Sequence, residues 1–174
     1  MNDLHVTWPE YHRLIERLAV KVYDSGWSFD AIVCLARGGL RIGDVLSRLF
    51  DRPLGVLFTS SYREEAGTVR SRLDISEHIS SARPLPGGRW LLVDDLVDSG
   101  ATLHEVVPVL RSRFPHVLEL RVAVLWQKGT SIARPEYCVD YLPSSPWIHQ
   151  PFEEYDRIGP AALKARLEGG AQER

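Results

Sequence analysis

Apolar residues follow two rhythms along this chain. Continuous apolar runs at 31–36, 54–59, 90–93, 117–126 and 137–142 alternate with segments whose apolar residues recur at helical spacing. The runs fit strands buried on both faces of a parallel sheet, and the periodic segments fit amphipathic helices laid on it. Thr7-Trp8-Pro9-Glu10 has the form of a capping box, with proline tolerated in the first helical turn. Tyr11, Leu14, Ile15, Leu18 and Val22 mark the buried face of the helix that follows, and Gly26 ends it. Further helices are expected over 42–50, over 104–113 and, ahead of a frayed end, over 161–167. Pro108 should bend the second of these or cost it a hydrogen bond. The order α-βα-β-βα-β predicts an α/β protein with an open, mainly parallel sheet flanked by helices.

Two stretches break the pattern. From Ser61-Tyr62 to about residue 88 the chain turns polar, with Arg63, Glu64, Glu65, Arg70, Arg72 and Arg83. A polar insertion this long in a compact domain is either a solvated hairpin, here through 69–75, or a functional segment. Near the end, Pro143, Pro146 and Pro151 exclude a helix and fix an extended path around Trp147, Ile148 and His149. The aromatic residues there could simply cap the core.

Composition narrows the function classes. The 174 residues are the size of one domain with a real core, and a net charge of −2 gives no electrostatic case for nucleic acid or a bilayer. No apolar stretch approaches the roughly 20 residues of a membrane helix, and no signal-peptide pattern opens the chain, so a cytoplasmic location is expected. Cys34 and Cys138 show no C-x-x-C spacing and read as free thiols. The six histidines form no H-x-x-x-H or Cys/His cluster, so a structural zinc site is not expected.

The chemistry concentrates after the strand at 90–93. Asp94 and Asp95 stand where that strand should end, and Asp98-Ser99-Gly100-Ala101-Thr102 leads into the next helix. Such a turn gathers unpaired backbone N–H groups and a positive dipole end, which is an anion site. The two carboxylates would repel a bare phosphate and instead suit sugar hydroxyls and a divalent cation. A phosphate in the loop, with a diol and magnesium at its mouth, describes a phosphorylated ribose. After the strand at 31–36, Arg37-Gly38-Gly39-Leu40 makes a similar turn, with glycines for close backbone approach and a guanidinium for bidentate phosphate contact. Lys128 follows the strand at 117–126, on the edge where α/β sheets bind ligands.

The run from Trp90 through Asp94-Asp95, two apolar residues and Asp98-Ser99-Gly100-Ala101-Thr102 resembles the 5-phosphoribosyl 1-pyrophosphate (PRPP) signature of the type I phosphoribosyltransferases. From about residue 6 to residue 153 the chain resembles their 6-oxopurine members, nearest the short bacterial xanthine-guanine and hypoxanthine branch. Val6-Thr7-Trp8, Arg37-Gly38-Gly39-Leu40, Ser60-Ser61-Tyr62, Lys128 and Trp147-Ile148-His149-Gln150-Pro151 fall in that order. The resemblance implies the type I fold as a single domain over 1–160, with a flexible hood at about 62–88 and a C-terminal helix and tail at 161–174. It implies PRPP held by Asp94, Asp95, Asp98, Ser99, Gly100, Ala101, Thr102, Arg37 and Gly38. Magnesium would sit at Asp95 and Asp94, and Asp98 would serve as general base. Lys128, Trp147 and Ile148 would hold a purine base: the ammonium on its 6-oxo group, the indole on its face and a backbone carbonyl on its other edge. The hood would begin at Ser61-Tyr62 and bring Arg70 or Arg72 to the pyrophosphate. A homodimer or homotetramer is implied as well.

Some positions depart from that branch. His149 stands where the xanthine-guanine enzymes carry an acid, and Phe152-Glu153 replaces an aromatic-aspartate pair. His149 therefore faces either the 2-position of the base or solvent. Two rival readings keep the fold: a sensor of PRPP or nucleotide that regulates, and a transferase for another acceptor. The chain has no spare length for a DNA-binding appendage, which weighs against the first. An ammonium at Lys128 would repel a 6-amino group, which weighs against adenine as the acceptor. A dinucleotide-binding oxidoreductase fails because no G-x-G-x-x-G follows a strand.

Overall fold

The computed structural model describes residues 3–61 and 73–170. It falls into two compact units, Arg13–Ser145 and the two chain ends, Met1–His12 with Pro146–Arg174.

The larger unit is built on a parallel sheet. Strands β2 (Ala31–Ala36), β3 (Leu54–Ser61), β6 (Gly88–Val93) and β8 (Val117–Lys128) run in the order β3-β2-β6-β8, and β9 (Tyr137–Leu142) adds to β8. Every residue of β2 is buried, as a central strand covered on both faces requires. Alternation sorts its side chains. Ala31, Val33 and Leu35 join Trp90, Leu92, Val122 and Val124 in one cluster with Leu103, Val106 and Leu110 of helix α3 (Ala101–Arg113). Cys34 points the other way, against helix α2 (Leu40–Phe50), where a Cβ on Gly43 would come within 2.8 Å of the Cys34 Cβ. The apolar runs form strands as expected, but burial on both faces holds at the centre of the sheet, while Phe58 in β3, Leu118 in β8 and Tyr141 in β9 are exposed.

Helix α1 (Trp8–Asp24) opens on the expected capping box: Thr7 N donates to Glu10 Oε2 at 2.8 Å and Glu10 N to Thr7 Oγ1 at 3.4 Å. α3 starts at Ala101, not at 104, and runs through Pro108, which has no N–H to give to the ladder. β8 reaches Lys128, two residues past the expected end. The central strand holds a feature that apolar periodicity did not signal. After Val93 pairs with Ala123, the chain pauses at Asp94–Asp95 and resumes as β7 (Leu96–Val97), with Leu96 opposite Trp126 in unchanged register. β6 thus ends just before the carboxylate pair, as expected, but backbone bonds to β8 continue through Asp94 and Asp95.

Of the expected hood, residues 73–88 return along β3. β4 (Leu73–Ile75) pairs antiparallel with Thr59–Ser61, and β5 (Ser80–Ser81) pairs with Gly55 and Val56. Tyr62, Arg70 and Arg72 lie outside the described residues, and Ser61 is described only as the last residue of β3.

In the smaller unit, β1 (Leu4–His5) and β10 (Ile148–His149) form a parallel pair that apolar periodicity did not signal. Trp8, Tyr11 and Phe152 pack their rings together, with centroids 5.6 to 6.4 Å apart. A short 3-10 turn (Glu153–Asp156) and helix α4 (Pro160–Gly170) follow, tied by an ion pair of Arg166 with Glu154 at 2.8 Å.

Candidate active site

The site in the larger unit grows from a fork in the sheet. β2 and β6 stay paired only as far as Cys34 and Val93, while β6 keeps β8 as its other neighbour. Beyond the fork, β2 turns through Arg37-Gly38-Gly39 into α2, and the central strand passes through Asp94–Asp95. The Asp94 N–H still donates to the Ala123 carbonyl at 3.2 Å, and the Asp95 carbonyl accepts from Leu125 N at 3.0 Å. The two backbones are therefore fixed while their carboxylates sit at the opening.

The glycine turn is moulded on those carboxylates. A Cβ on Gly38 would stand 2.6 Å from Asp95 Oδ1 and 2.9 Å from Asp94 Oδ1. A Cβ on Gly39 would overlap the Val93 carbonyl oxygen and come within 2.9 Å of that of Leu35. Both positions are glycine because there is no room for a side chain. Burial, and then the Asp95 charge beside it, pushes the Asp94 carboxyl well above the usual carboxylate range. Asp94 Oδ1 also accepts from Asp95 N at 3.0 Å, which pulls weakly the other way. Burial pushes the neighbouring Cys34 thiol up to about 11, so it stays protonated at neutral pH and is no nucleophile.

Asp98, Ser99 and Gly100 form the loop ahead of α3. Gly100 caps the helix at φ +86°, a left-handed conformation that suits glycine, with no side chain capping the helix. Ser99 Oγ accepts from Ala101 N at 3.3 Å, and with the N–H groups that follow it makes the start of α3 an anion-binding end. The connection after β8 braces this loop: Ile132 N donates to the Ser99 carbonyl at 2.9 Å, and a Cβ on Gly100 would meet Ala133 N at 2.6 Å. Ser131, Ile132 and Ala133 were missed from sequence, since nothing local links them to residues 99–100.

Lys128, at the end of β8, is only 6% exposed. Its ammonium donates to Asp98 Oδ2 at 3.1 Å, while the Asp98 side chain itself is 58% exposed. The structure thus brings Asp94, Asp95, Asp98, Ser99, Gly100, Arg37, Gly38 and Lys128 to the C-terminal edge of one sheet. Ala101 and Thr102 form the first turn of α3, not the preceding loop.

Trp147 and Ile148 belong to the smaller unit. The Trp147 carbonyl accepts from Leu4 N at 2.8 Å and the His149 carbonyl from Val6 N at 3.0 Å. Alternation then turns the Ile148 carbonyl to the opposite edge of the strand. Trp147 is 55% exposed, whereas Ile148 is buried. A half-exposed indole just ahead of a strand, its own carbonyl bonded to Leu4 N, can serve as a platform for a planar ring.

The family model described as phosphoribosyl transferase domain matches residues 6–157. The xanthine-guanine phosphoribosyltransferase of Idiomarina loihiensis is 27% identical over 153 residues, covering 87% of this chain and 88% of that protein. Among solved structures, a purine phosphoribosyltransferase from Pyrococcus horikoshii superposes with a TM-score of 0.71 at 29% identity, over 87% of this chain and 94% of the other. The Helicobacter pylori xanthine-guanine-hypoxanthine phosphoribosyltransferase gives 0.74 at 25% identity, over 94% and 99%.

Proposed function

This chain belongs to the phosphoribosyl transferase domain family, and on that premise we propose that it salvages purines by joining a 6-oxopurine to PRPP. A ring nitrogen of hypoxanthine, guanine or xanthine forms a bond to C1 of the ribose as the bond from C1 to pyrophosphate breaks. The products are a nucleoside 5′-monophosphate, pyrophosphate and one proton from the base.

The loop Asp98 to Gly100 and the first N–H groups of α3, at Ala101 and Thr102, hold the 5-phosphate as a helix N-terminus holds any phosphate. The Arg37-Gly38 turn receives the pyrophosphate. Asp98 accepts or holds the purine proton as the bond forms. Lys128 donates to the 6-oxo group, Trp147 stacks on the ring, and the outward carbonyl of Ile148 reads its far edge.

The donor set fits a hard divalent cation. Asp94 and Asp95 are adjacent carboxylates whose burial and mutual repulsion a cation would relieve, and they offer only oxygen. Magnesium held there with substrate oxygens would neutralise charge on the departing pyrophosphate. A hood that begins at Ser61-Tyr62, excludes water by closing and brings Arg70 or Arg72 to the pyrophosphate, a homo-oligomeric state and a cytoplasmic location complete the reading. Among the described residues, no helix is long and apolar enough to cross a membrane.

What supports this reading most is the buried Lys128 ammonium 3.1 Å from Asp98, beside the loop that leads into α3. It sets a donor for a carbonyl and an acceptor for a proton side by side. The test is pyrophosphate release from PRPP with magnesium, offering hypoxanthine, guanine, xanthine and adenine in parallel, with Asp98→Asn beside the wild type. Turnover on oxopurines, little on adenine and a loss of roughly 10²-fold or more in the variant are expected. No turnover on any base, with PRPP still bound, would overturn the enzyme reading in favour of a sensor.

A further inference from the structure

The smaller unit carries a donor cluster to which no role in the transfer has been assigned above, and it includes His149, the residue that the sequence leaves facing either the 2-position of the base or solvent. The parallel register of β1 and β10 sets His5 opposite His149, so both imidazoles leave the same face of the strand pair. Their ring centroids are 4.3 Å apart and their planes differ by 8°. Asp3, two residues ahead of His5, brings its Oδ2 to 2.9 Å from His149 Nε2. One donor atom from each of the three residues lies within 4.8 Å of the other two.

We propose that Asp3, His5 and His149 bind a borderline divalent transition-metal ion of the zinc class. Two imidazole nitrogens and one carboxylate oxygen are the donors such ions take, whereas magnesium prefers a shell of oxygens alone. A tetrahedral ion with bonds of about 2.1 Å holds its ligand atoms about 3.4 Å apart. The cluster reaches that spacing by rotating the side chains of Asp3 and His5, both of which are exposed. A further coordination position stays open to water or a small ligand. The ion would clamp β1 to β10, the strand that carries Ile148 and adjoins Trp147. The site rests on this cluster alone and holds whether or not the chain acts on purines.

Co2+ is the probe, because its visible absorption reports a low-coordinate nitrogen and oxygen shell. The full chain is titrated with Co2+ in excess magnesium, which occupies any all-oxygen site. The expected result is a saturable band at one equivalent, displaced by Zn2+. His5→Ala and His149→Ala should each weaken binding at least about tenfold, the range seen for losses around metal shells. Asp94→Asn with Asp95→Asn should bind as the wild type does. His5 is exposed, so its variant keeps the fold, and circular dichroism verifies this. No saturable band, unchanged affinity in the histidine variants, or loss of binding in the Asp94/Asp95 variant would each overturn the proposal.

Discussion

Replacing Gly38 by alanine presses directly on the carboxylate pair. The new Cβ would stand 2.7 Å from Asp95 Cγ and 2.6 Å from its Oδ1. Against an optimal carbon contact of about 3.5 Å, the Asp95 carboxylate must retreat by roughly 0.8 Å. Gly38 lies outside the left-handed region, so alanine adds no backbone strain, and the atoms it meets end a short side chain that can turn. The fold should therefore survive while the site is displaced. A shift near 1 Å costs about 10²-fold in rate, so kcat/KM for PRPP should fall by roughly 10- to 100-fold. Gly39→Ala is the contrast, because its Cβ would meet the backbone of two central strands, the carbonyls of Val93 and Leu35. Overpacking of that kind costs about 1–3 kcal/mol, and at roughly 2–4 °C per kcal/mol the melting temperature should fall by about 2–12 °C. The assay is pyrophosphate release with PRPP varied at saturating base, beside thermal melts of both variants. Wild-type kcat/KM in Gly38→Ala, or a melting loss equal to that of Gly39→Ala, would refute the placement of Gly38 against the carboxylates.

Other perturbations separate the remaining roles. Asp94 has a raised carboxyl in the folded state, so its contribution to stability is full below the unfolded pKa of about 4 and is lost as pH rises through the raised value. Asp94→Asn should thus melt higher than the wild type in chelator at neutral pH, with the lead closing at acid pH; an equal lead at both ends contradicts the burial argument. Lys128→Met removes a buried ammonium from a partner, Asp98, that is exposed enough to stay hydrated. A charged hydrogen bond of about 1.5–3 kcal/mol corresponds to a rise of roughly 10- to 150-fold in KM for an oxopurine, and an unchanged KM would remove Lys128 from the base site. Trp147→Ala should raise the base KM and leave the melting temperature within about 1–2 °C, since the indole is already 55% exposed. A large melting loss would instead make Trp147 a packing residue.

Much of the larger unit was legible because its central strand, β2, is buried on both faces, which leaves an unbroken apolar signature in the sequence. The run 31–36 became β2 residue for residue, and the capping box at Thr7 and Glu10 formed both of its bonds. Start points were harder to read where chemistry is carried by the backbone. α3 begins behind Gly100, which offers no side chain to cap it and so no N-cap signal in the sequence. Pairings set by register across the chain left no local trace at all. β1 and β10 each pair over two residues, too few for a period to show, and the bond from Ile132 to Ser99 joins segments on different strand ends.

The unchanged register from β6 to β7 explains why the legible residues also form a site. Without the backbone bonds to β8 that continue past the end of β6 at Val93, Asp94 and Asp95 would lie in a loop, free to separate. Because the ladder to β8 resumes with Leu96 opposite Trp126, both aspartate backbones are held on one side while β2 departs on the other. The departing chain must turn within the space above the carboxylates, where a side chain at position 38 would displace Asp95 and one at position 39 would strike the backbone of Val93 and Leu35. Lys128 ends the same β8 strand, so the ladder that fixes Asp95 also fixes the ammonium that meets Asp98. One strand, β8, thus sets the spacing between the carboxylate pair, the loop before α3 and the lysine. Substitutions that slip β8 against β6 should disable the site before they unfold the sheet.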